Sequence, residues 1–438
     1  MPSKECRGKK YTVGHCFKNK KTDACCDVGK EENSQMASDI ENVADMGVSS
    51  EMKRIRLIFC ITTMFFWASE YCHVPYFTPY LRTLNMTGTL IGFLAGTYGM
   101  TQVIVRIPLG IFADMSRRYK LLVRSGCFFT TISSLLLYVT TNVPLMFLAR
   151  VLAGVAASNW VAFTVMYTGY FKPEESGKAI AELNGYNNGG KLLAFFLGTL
   201  AASLWDLKVP LLMSVLTGAA GMIASIFIKD NEGSGRTPVK VKELLLVFKD
   251  TTVLVPALLA IVFQMMGQGT AFSFTSDMAR ALSATKVEIG VISCLFTATQ
   301  IVTSMFLMST FAQKKPSEHL IFIGFGLYAV YCLMVGFASG VWLLYPAQIV
   351  GGFANAVLTS ILMSQAIKYV SPEKKSTAMG FYQAIYGIGM FTGPVLMGFF
   401  VDHTGYDGGF GIFAAIAAAT AVCGLIFLGK INRAHKKA

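Results

Sequence analysis

Residues 149–154 read Ala-Arg-Val-Leu-Ala-Gly and residues 347–352 read Ala-Gln-Ile-Val-Gly-Gly, each inside a long apolar stretch of the 438-residue chain. Three more short matches occur in the same order, and the offset between partners stays between 197 and 199 residues. The matches are Phe77-Thr78 with Phe274-Thr275, Phe112-Ala113-Asp114 with Phe311-Ala312-Gln313, and Pro173-Glu174 with Pro372-Glu373. Four ordered matches at one spacing indicate that the two halves of the chain are repeats of each other.

The composition of the chain is that of a membrane protein. Apolar residues make up 53% of the chain and charged residues 14%, and the mean hydropathy is +0.52. Soluble domains carry about 25% charged residues, and a membrane-spanning helix needs about 20 mostly apolar residues. The stretch from Ile55 to Lys430 has room for twelve such helices with short loops. We therefore predict an all-α polytopic membrane protein with about 12 transmembrane helices.

The basic residues determine the predicted orientation of these helices. When both termini lie on one side of the membrane, 30 of the 38 Lys and Arg residues fall on that side and four on the other. Positive loops stay in the cytoplasm, so we expect cytoplasmic termini, with the plasma membrane as the location. The net charge of +13 then reflects topology, and no nucleic-acid partner is expected. The two repeats are offset by six helices, an even number, so corresponding helices cross the membrane in the same direction. This predicts two parallel six-helix repeats with a solute site between them near the midplane.

The chain divides into five predicted regions. Residues 1–52 form a cytoplasmic tail predicted to be disordered, and residues 53–228 form the first six-helix bundle. A cytoplasmic linker with a short amphipathic helix follows at 229–250, and the second bundle covers 251–429 before a cytoplasmic tail at 430–438. The first 51 residues are predicted to be dispensable or an artefact of the assigned gene start. Directly after them, charged residues followed by an apolar helix form a typical beginning of a membrane protein.

No cofactor, metal or nucleotide site is predicted. The four tail cysteines form no CxxC pair, so reduced thiols are favoured over a metal site. Residues 185–191 contain the GxxxxGK part of a phosphate-binding loop, but Leu192 stands where Ser or Thr would bind magnesium, and the segment lies in an apolar helix. The chain is therefore not expected to be an enzyme, and the energy for moving a solute would come from an ion or solute gradient.

Four ionisable side chains are predicted to meet in the outer half of the first bundle. Glu70 lies about 15 residues into helix 1, roughly 22 Å along it, and His73 follows on the same face unless it marks the outer membrane boundary. Arg150 of helix 4 and Lys191 of helix 5 are expected at a similar depth, where such groups are usually functional. In one interpretation Glu70 carries a coupling proton and pairs with a cation in one state only. In the other, Glu70 and Arg150 form a fixed structural ion pair.

Cations exceed acids inside the first bundle, which would suit an anionic solute. Arg106, Arg150 and Lys191 face one acid, Glu70, although Arg106 could instead belong to a cytoplasmic gate near Asp114. The second half has no charge inside its predicted helices, the seventh of which ends near residue 276. Its polar residues, and Asn187 of helix 5, either contact solute or form interhelix hydrogen bonds. The candidates of the second half are Gln264, Gln268, Asn355, Tyr382 and Gln383.

The loop after helix 2 carries Gly110, Asp114, Arg117 and Arg118. This spacing resembles the signature of the major facilitator superfamily, although the second glycine of the signature is missing and the loop is one residue short. The resemblance covers roughly Lys53–Lys430. It implies a cytoplasmic latch in which the acid faces a helix N-terminus, a contact favoured by about 0.3–1 kcal/mol, while the arginines hold the gate. Ordinary positive loop charge is the other interpretation of the arginines.

Two further segments resemble the same family. Arg150 and the small residues after it resemble the helix-4 motif, whose arginine is linked with proton transfer in antiporters. Gly393 and Pro394 resemble a family bend on helix 11, whereas helix 5, where antiporters show that bend, has Ala194-Phe195. The resemblance implies that polar residues of helices 7 and 11 line a central cavity.

The pattern is closest to the drug and metabolite exporters of that family. It implies a monomeric secondary transporter in the lipid bilayer that takes a small-molecule substrate by alternating access. Coupling to a proton or another ion is expected, and efflux of a drug-like or metabolite solute is favoured. The alternatives are an organic-anion carrier or exchanger and, in another class, a non-transporting sensor on the same scaffold.

Overall fold

The computed structural model describes residues 51–172, 175–230, 250–307, 316–370 and 375–437. The chain separates into a unit of Met1–Arg54, of which only residues 51–54 are described, and a unit of Ile55–Ala438, which holds the helical bundle. Several sequence predictions fall outside the described residues: the disordered tail, the amphipathic helix of the linker, the side chain of Asp114, and the repeat matches at 173–174, 311–313 and 372–373. The proposed division into two six-helix bundles stays a prediction.

Twelve long helical segments and no strand are present in the described residues. They are α1 (Glu51–Thr83), α2 (Gly88–Ser116), α3 (Tyr119–Val139), α4 (Val143–Thr168), α5 (Ser176–Leu204), α6 (Val209–Ile226), α7 (Thr251–Ala281), α8 (Lys286–Val302, continued by a wide turn at Thr303–Leu307), α9 (Ser317–Gly336), α10 (Val341–Lys368), α11 (375–404) and α12 (406–437).

The apolar character of these helices confirms the predicted all-α polytopic fold. Within the described residues, ten helices are long and apolar enough to cross a membrane. One of the ten, Ala378–Ala434, holds both α11 and α12, which are separated at Gly405, where φ is 75°. The 29-residue α5 is not among the ten, and it carries Lys178, Glu182 and Lys191. The least apolar helix of the bundle is therefore one that holds candidate site residues.

Several helices are interrupted, which the sequence patterns did not predict. α1 has a turn at residues 72–73 and restarts at Val74, because Pro75 has no N–H group with which to continue the backbone hydrogen bonds of the helix. α4 pauses at Asn159 between two helical pieces. α7 widens into a π-helical segment over Gly267–Phe274, a form of helix that occurs frequently at functional sites. The interruptions of α1 and α7 both lie beside the candidate site.

A stripe of glycines brings α2 of the first half against α11 of the second. A Cβ atom built on Gly96 would lie 2.6 Å from the carbonyl oxygen of Phe391, and one on Gly88 would lie 2.7 Å from that of Gly398. Small residues let membrane helices approach this closely. We call the end where α2 begins and α11 ends the far end, and the end where α12 finishes the terminal end. The glycine stripe closes the far half of the bundle between α2 and α11.

Candidate functional site

A small cavity lies between both halves of the chain, near the middle of the bundle. Its walls come from the interrupted part of α1, from α2 and α4, and from the widened part of α7. The lining residues are Glu70, Tyr71, His73, Val74, Phe77, Ala95, Tyr98, Arg150, Gln268, Phe272 and Ser273. Three of the four ionisable residues predicted to meet in the first bundle therefore line one cavity, and the fourth, Lys191, lies beside it.

Glu70 is the acid of this cavity, and it forms no ion pair with any residue that the structure describes. Its side chain is 5% exposed, and its Oε1 atom has no hydrogen-bond partner. Neither Arg150 nor Lys191 has a nitrogen within the 4.0 Å that defines an ion pair with it. The fixed Glu70–Arg150 ion pair that the sequence allowed is therefore not formed in this conformation.

Arg150 is held by backbone groups instead of by a carboxylate. Its Nε donates to the carbonyl oxygen of Leu94 at 3.2 Å, and its Nη2 donates to that of Ala95 at 3.3 Å, both on α2. The guanidinium also lies 5.2 Å from the ring centroid of Phe77 and 5.1 Å from that of Tyr98. These contacts bind the cation to α2, so the hydrogen bonds of Arg150 do not depend on the protonation of Glu70.

His73 is buried in the cavity wall rather than exposed at a boundary. Its Nδ1 lies 3.0 Å from the Ser214 hydroxyl of α6, and its Nε2 has no partner. The ring packs edge-on against Phe77, with 5.7 Å between the centroids. His73 thus places a second unpaired polar atom in the cavity wall that contains Glu70.

Lys191 approaches the cavity from α5 through aromatic rings. Its Nζ lies 5.2 Å from the ring centroid of Trp67 and 5.0 Å from that of Tyr71. Tyr71 in turn lines the cavity and packs 6.0 Å from Phe272 of α7. Asn187, one turn before Lys191, is buried with its Oδ1 unpaired. The face of α5 that points to α1 therefore carries a cation and an open acceptor.

Arg106 joins the two halves below the cavity, toward the terminal end. It donates to the side-chain oxygen of Gln102 within α2 and to the Tyr386 hydroxyl of α11 at 3.3 Å. The ring centroid of Tyr382 lies 5.5 Å from that of Tyr386, and Gln383 is half-buried on the same helix. Tyr382 therefore reaches Arg106 only through Tyr386, and neither Tyr382 nor Gln383 is among the residues that line the cavity of Glu70.

The other polar candidates of the second half differ in position. Gln268 lines the cavity on the widened part of α7. Gln264 is half-buried one turn earlier, and Asn355 accepts a hydrogen bond from Tyr328 of α9 at 3.4 Å. Asn355 thus forms an interhelix hydrogen bond, which was one of the two roles that the sequence allowed for it.

The residues assigned to the gate and the bend lie away from the cavity. Arg117 and Arg118 are exposed at the terminal end of α2, and Gly110 faces open space. Gly393 and Pro394 lie where α11 crosses α7 and α2, and a Cβ atom on Gly269 of α7 would lie 2.7 Å from the carbonyl oxygen of Gly393. The glycine–proline step is thus a point of close helix packing.

A charged network at the far end, which sequence reasoning missed, joins the halves. The Arg82 Nε donates to Asp277 at 2.9 Å, and the Tyr406 hydroxyl donates to the same carboxylate at 2.8 Å. Asp402 accepts from the backbone N–H groups of Gly88 and Thr89, each at 2.7 Å, and its Oδ1 lies 3.8 Å from Arg82 Nη1. We call Arg82, Asp277, Asp402 and Tyr406 the far-end latch.

The far-end latch corrects one sequence prediction. The second half does carry a charge inside a helix, because α7 continues to Ala281 and so includes Asp277, which is 2% exposed. Asp402 faces the first amides of α2, where the helix dipole favours an anion. The latch therefore holds the far end closed through charges from three helices.

Removing the cation of the latch should destabilise the protein measurably. Breaking a buried ion pair from one side costs about 3–5 kcal/mol, and less is expected here because Arg82 is 20% exposed. We expect Arg82→Met to lower the thermal unfolding temperature in detergent, and Arg82→Met combined with Asp277→Asn to recover part of the loss. Arg280→Met, an exposed arginine of α7, is the control. A double variant no more stable than Arg82→Met would contradict the assignment.

Comparison with known proteins identifies the family. The family model described as Major Facilitator Superfamily matches residues 59–276 and 257–438. The chain belongs to this superfamily. An MFS-type transporter of Methanocaldococcus jannaschii is 22% identical over 372 residues, which cover 82% of this chain and 93% of that protein. The quinolone resistance protein NorA of Staphylococcus aureus is 23% identical over 375 residues, covering 83% of this chain and 93% of that protein.

Solved structures of superfamily members show the same fold. The nucleoside transporter NupG has a TM-score of 0.72 at 16% identity, covering 86% of this chain and 99% of its own. A bacterial homologue of the human lysosomal transporter Spinster, solved in an inward-facing and unoccupied conformation, has a TM-score of 0.71 at 14% identity, covering 86% of this chain and 96% of its own. Together, the family match and the apolar helices identify the protein as a multi-pass membrane transporter of the superfamily.

Proposed function

We propose that this superfamily member is a proton-coupled secondary transporter of a small organic solute, with Glu70 as the proton-binding residue. The observation that carries the proposal is the buried carboxyl of Glu70, which has an unpaired oxygen and no cation within 4.0 Å. An ionised carboxylate without a counter-ion is costly at membrane depth, so the group is best accommodated as the neutral acid in this conformation. A conformation that admits water or a cation would release the proton.

The geometry around Glu70 supports alternation between two such conformations. The far end is closed by the glycine stripe and the far-end latch, so the two halves are in contact on that side of the cavity. A cavity shared by α1, α2, α4 and α7 changes its access when the two halves rock about it. Because Arg150 is tied to carbonyl groups of α2, movement of α2 would also change the distance from Arg150 to Glu70.

The distribution of basic residues and the relatives suggest the orientation and direction. The excess of Lys and Arg in the loops at the terminal end favours a cytoplasmic position for that end, so the closed far end would face away from the cytoplasm. The likeness to the quinolone resistance proteins of S. aureus supports export of the solute. We accordingly propose proton-coupled efflux, with solute binding from the cytoplasm.

The test uses the purified chain in two steps. A thermal-shift screen of organic solutes at two pH values first identifies ligands. Accumulation of such a ligand in proteoliposomes is then measured with an imposed pH gradient, with and without a protonophore. We expect accumulation that the protonophore abolishes. Accumulation that is insensitive to the protonophore would contradict proton coupling, and ligand binding with no flux would favour the sensor alternative.

A further inference from the structure

Lys191 is a cation that packs against aromatic side chains of α1. Within the described residues its Nζ has no carboxylate within the 4.0 Å of an ion pair, and its close neighbours are the rings of Trp67 and Tyr71. Each cation–π contact is worth about 0.5–2 kcal/mol, which does not replace the hydration that the half-buried Lys191 side chain loses. The position therefore calls for a negative charge that the described part of the chain does not supply.

The neighbours of Lys191 have further unused hydrogen-bonding capacity. The Trp67 Nε1–H donor is buried without a partner, and so is the Asn187 Oδ1 acceptor. Trp67 lies on the α1 face toward Lys191, and Asn187 lies one turn before Lys191 on α5. Buried polar groups in native proteins are normally paired, so unpaired donors and acceptors around one cation indicate a polar ligand.

The wall next to Lys191 is aromatic and continues across both halves. The distances between ring centroids are 5.3 Å from Trp160 of α4 to Trp67, 5.9 Å from Trp67 to Tyr71, and 6.0 Å from Tyr71 to Phe272 of α7. Such a row binds flat aromatic groups by stacking and edge contacts. The row leads from the ammonium group to the Glu70 cavity, whose lining includes Tyr71 and Phe272.

We propose that Lys191 is the anion-binding residue of a substrate subsite for small arylcarboxylates. The carboxylate lies between the ammonium group of Lys191 and the indole N–H of Trp67, and the aromatic body lies along Tyr71 and Phe272. Asn187 accepts from a hydroxyl or N–H substituent near the carboxylate. This inference rests on the proposed transport function and names its substrate class.

The test measures binding rather than transport, so it can fail separately from proton coupling. The purified full-length chain in detergent is titrated calorimetrically with 2-naphthoate, with the neutral 2-naphthylmethanol, and with acetate, which has no ring. We expect 2-naphthoate to bind most tightly. Lys191→Met should weaken 2-naphthoate about tenfold to a hundredfold, the range of a charge-assisted hydrogen bond, and leave 2-naphthylmethanol unchanged.

Two variants serve as controls. Lys208→Met removes a lysine that lies 5.1 Å from the Tyr138 ring, away from the site, and should leave the affinity for 2-naphthoate unchanged. Lys191→Arg keeps the charge and should retain most of the affinity; it also provides the comparison if Lys191→Met does not fold. Partition of the ligand into detergent is the same for all variants.

Three results would overturn the proposal. One is wild-type protein that binds 2-naphthoate no better than 2-naphthylmethanol. Another is folded Lys191→Met protein with undiminished affinity for 2-naphthoate, and the third is an equal loss for the neutral ligand. Pronounced 2-naphthoate binding that depends on Lys191, combined with transport insensitive to a protonophore, would support this subsite and reject proton coupling.

Discussion

Glu70→Gln is expected to abolish accumulation driven by a pH gradient while exchange of solute across the membrane continues. Glutamine has nearly the size of glutamate and fits the same cavity, but it cannot bind and release a proton. One pH unit supports a solute gradient of about tenfold for each coupled proton. The wild-type protein should therefore reach that ratio in proteoliposomes, and Glu70→Gln should stop at equal concentrations inside and outside.

The control for this prediction removes a carboxylate elsewhere. Glu175 is exposed at the start of α5 and makes no side-chain cap there. Glu175→Gln makes the same substitution outside the cavity and should couple like the wild-type protein. Intact pH-driven accumulation in Glu70→Gln would exclude Glu70 as the proton carrier.

Gly92→Leu is expected to stop transport by preventing closure of the far end. Gly92 lies where α2 meets the backbone of Pro394 on α11, and no side chain fits between them. Small residues at such crossings permit the approach of two helices, so a leucine would separate α2 from α11. The bundle should then favour the conformation that is open at the far end, and the cavity should become accessible from that side.

Labelling of a cavity cysteine measures this change. Ser273 of α7 is buried in the cavity wall, and Ser273→Cys provides the reporter for a membrane-impermeant maleimide added from the far side. We expect slow labelling of Ser273→Cys alone and fast labelling when Gly92→Leu is added. Gly326→Leu makes the same substitution where open space surrounds the glycine, and it should leave labelling slow. Equal labelling with and without Gly92→Leu would contradict the account of far-end closure.

Much of the fold could be predicted from the sequence because the signals are local or periodic. Apolar runs, repeated segments and loop charges predicted an all-α polytopic fold, and the fold and the superfamily were confirmed. The interruptions of α1 and α7 were not predicted, since hydropathy averages over the turns that Pro75 and the widened segment Gly267–Phe274 introduce. The helices that surround the cavity are therefore the ones whose local form the pattern described least well.

The partners of the site residues were less accessible to sequence reasoning. Arg150 was expected to meet Glu70, but its donors are occupied by backbone carbonyl groups, which side-chain chemistry does not reveal. Arg82 was one of the four basic residues counted on the non-cytoplasmic side, and Asp277 fell outside the predicted end of α7. The far-end latch could have been suspected from one signal, an acid and a base close to the far ends of helices from different halves.

The central claim is that the carboxyl of Glu70 binds and releases a proton inside the bundle. Infrared difference spectroscopy of the purified protein during a pH titration observes the C=O stretch of a protonated carboxyl directly. We expect a titrating carboxylic-acid band in the wild-type protein and in Glu175→Gln that is absent in Glu70→Gln. The same band persisting in Glu70→Gln would show that another group carries the proton and would contradict this account.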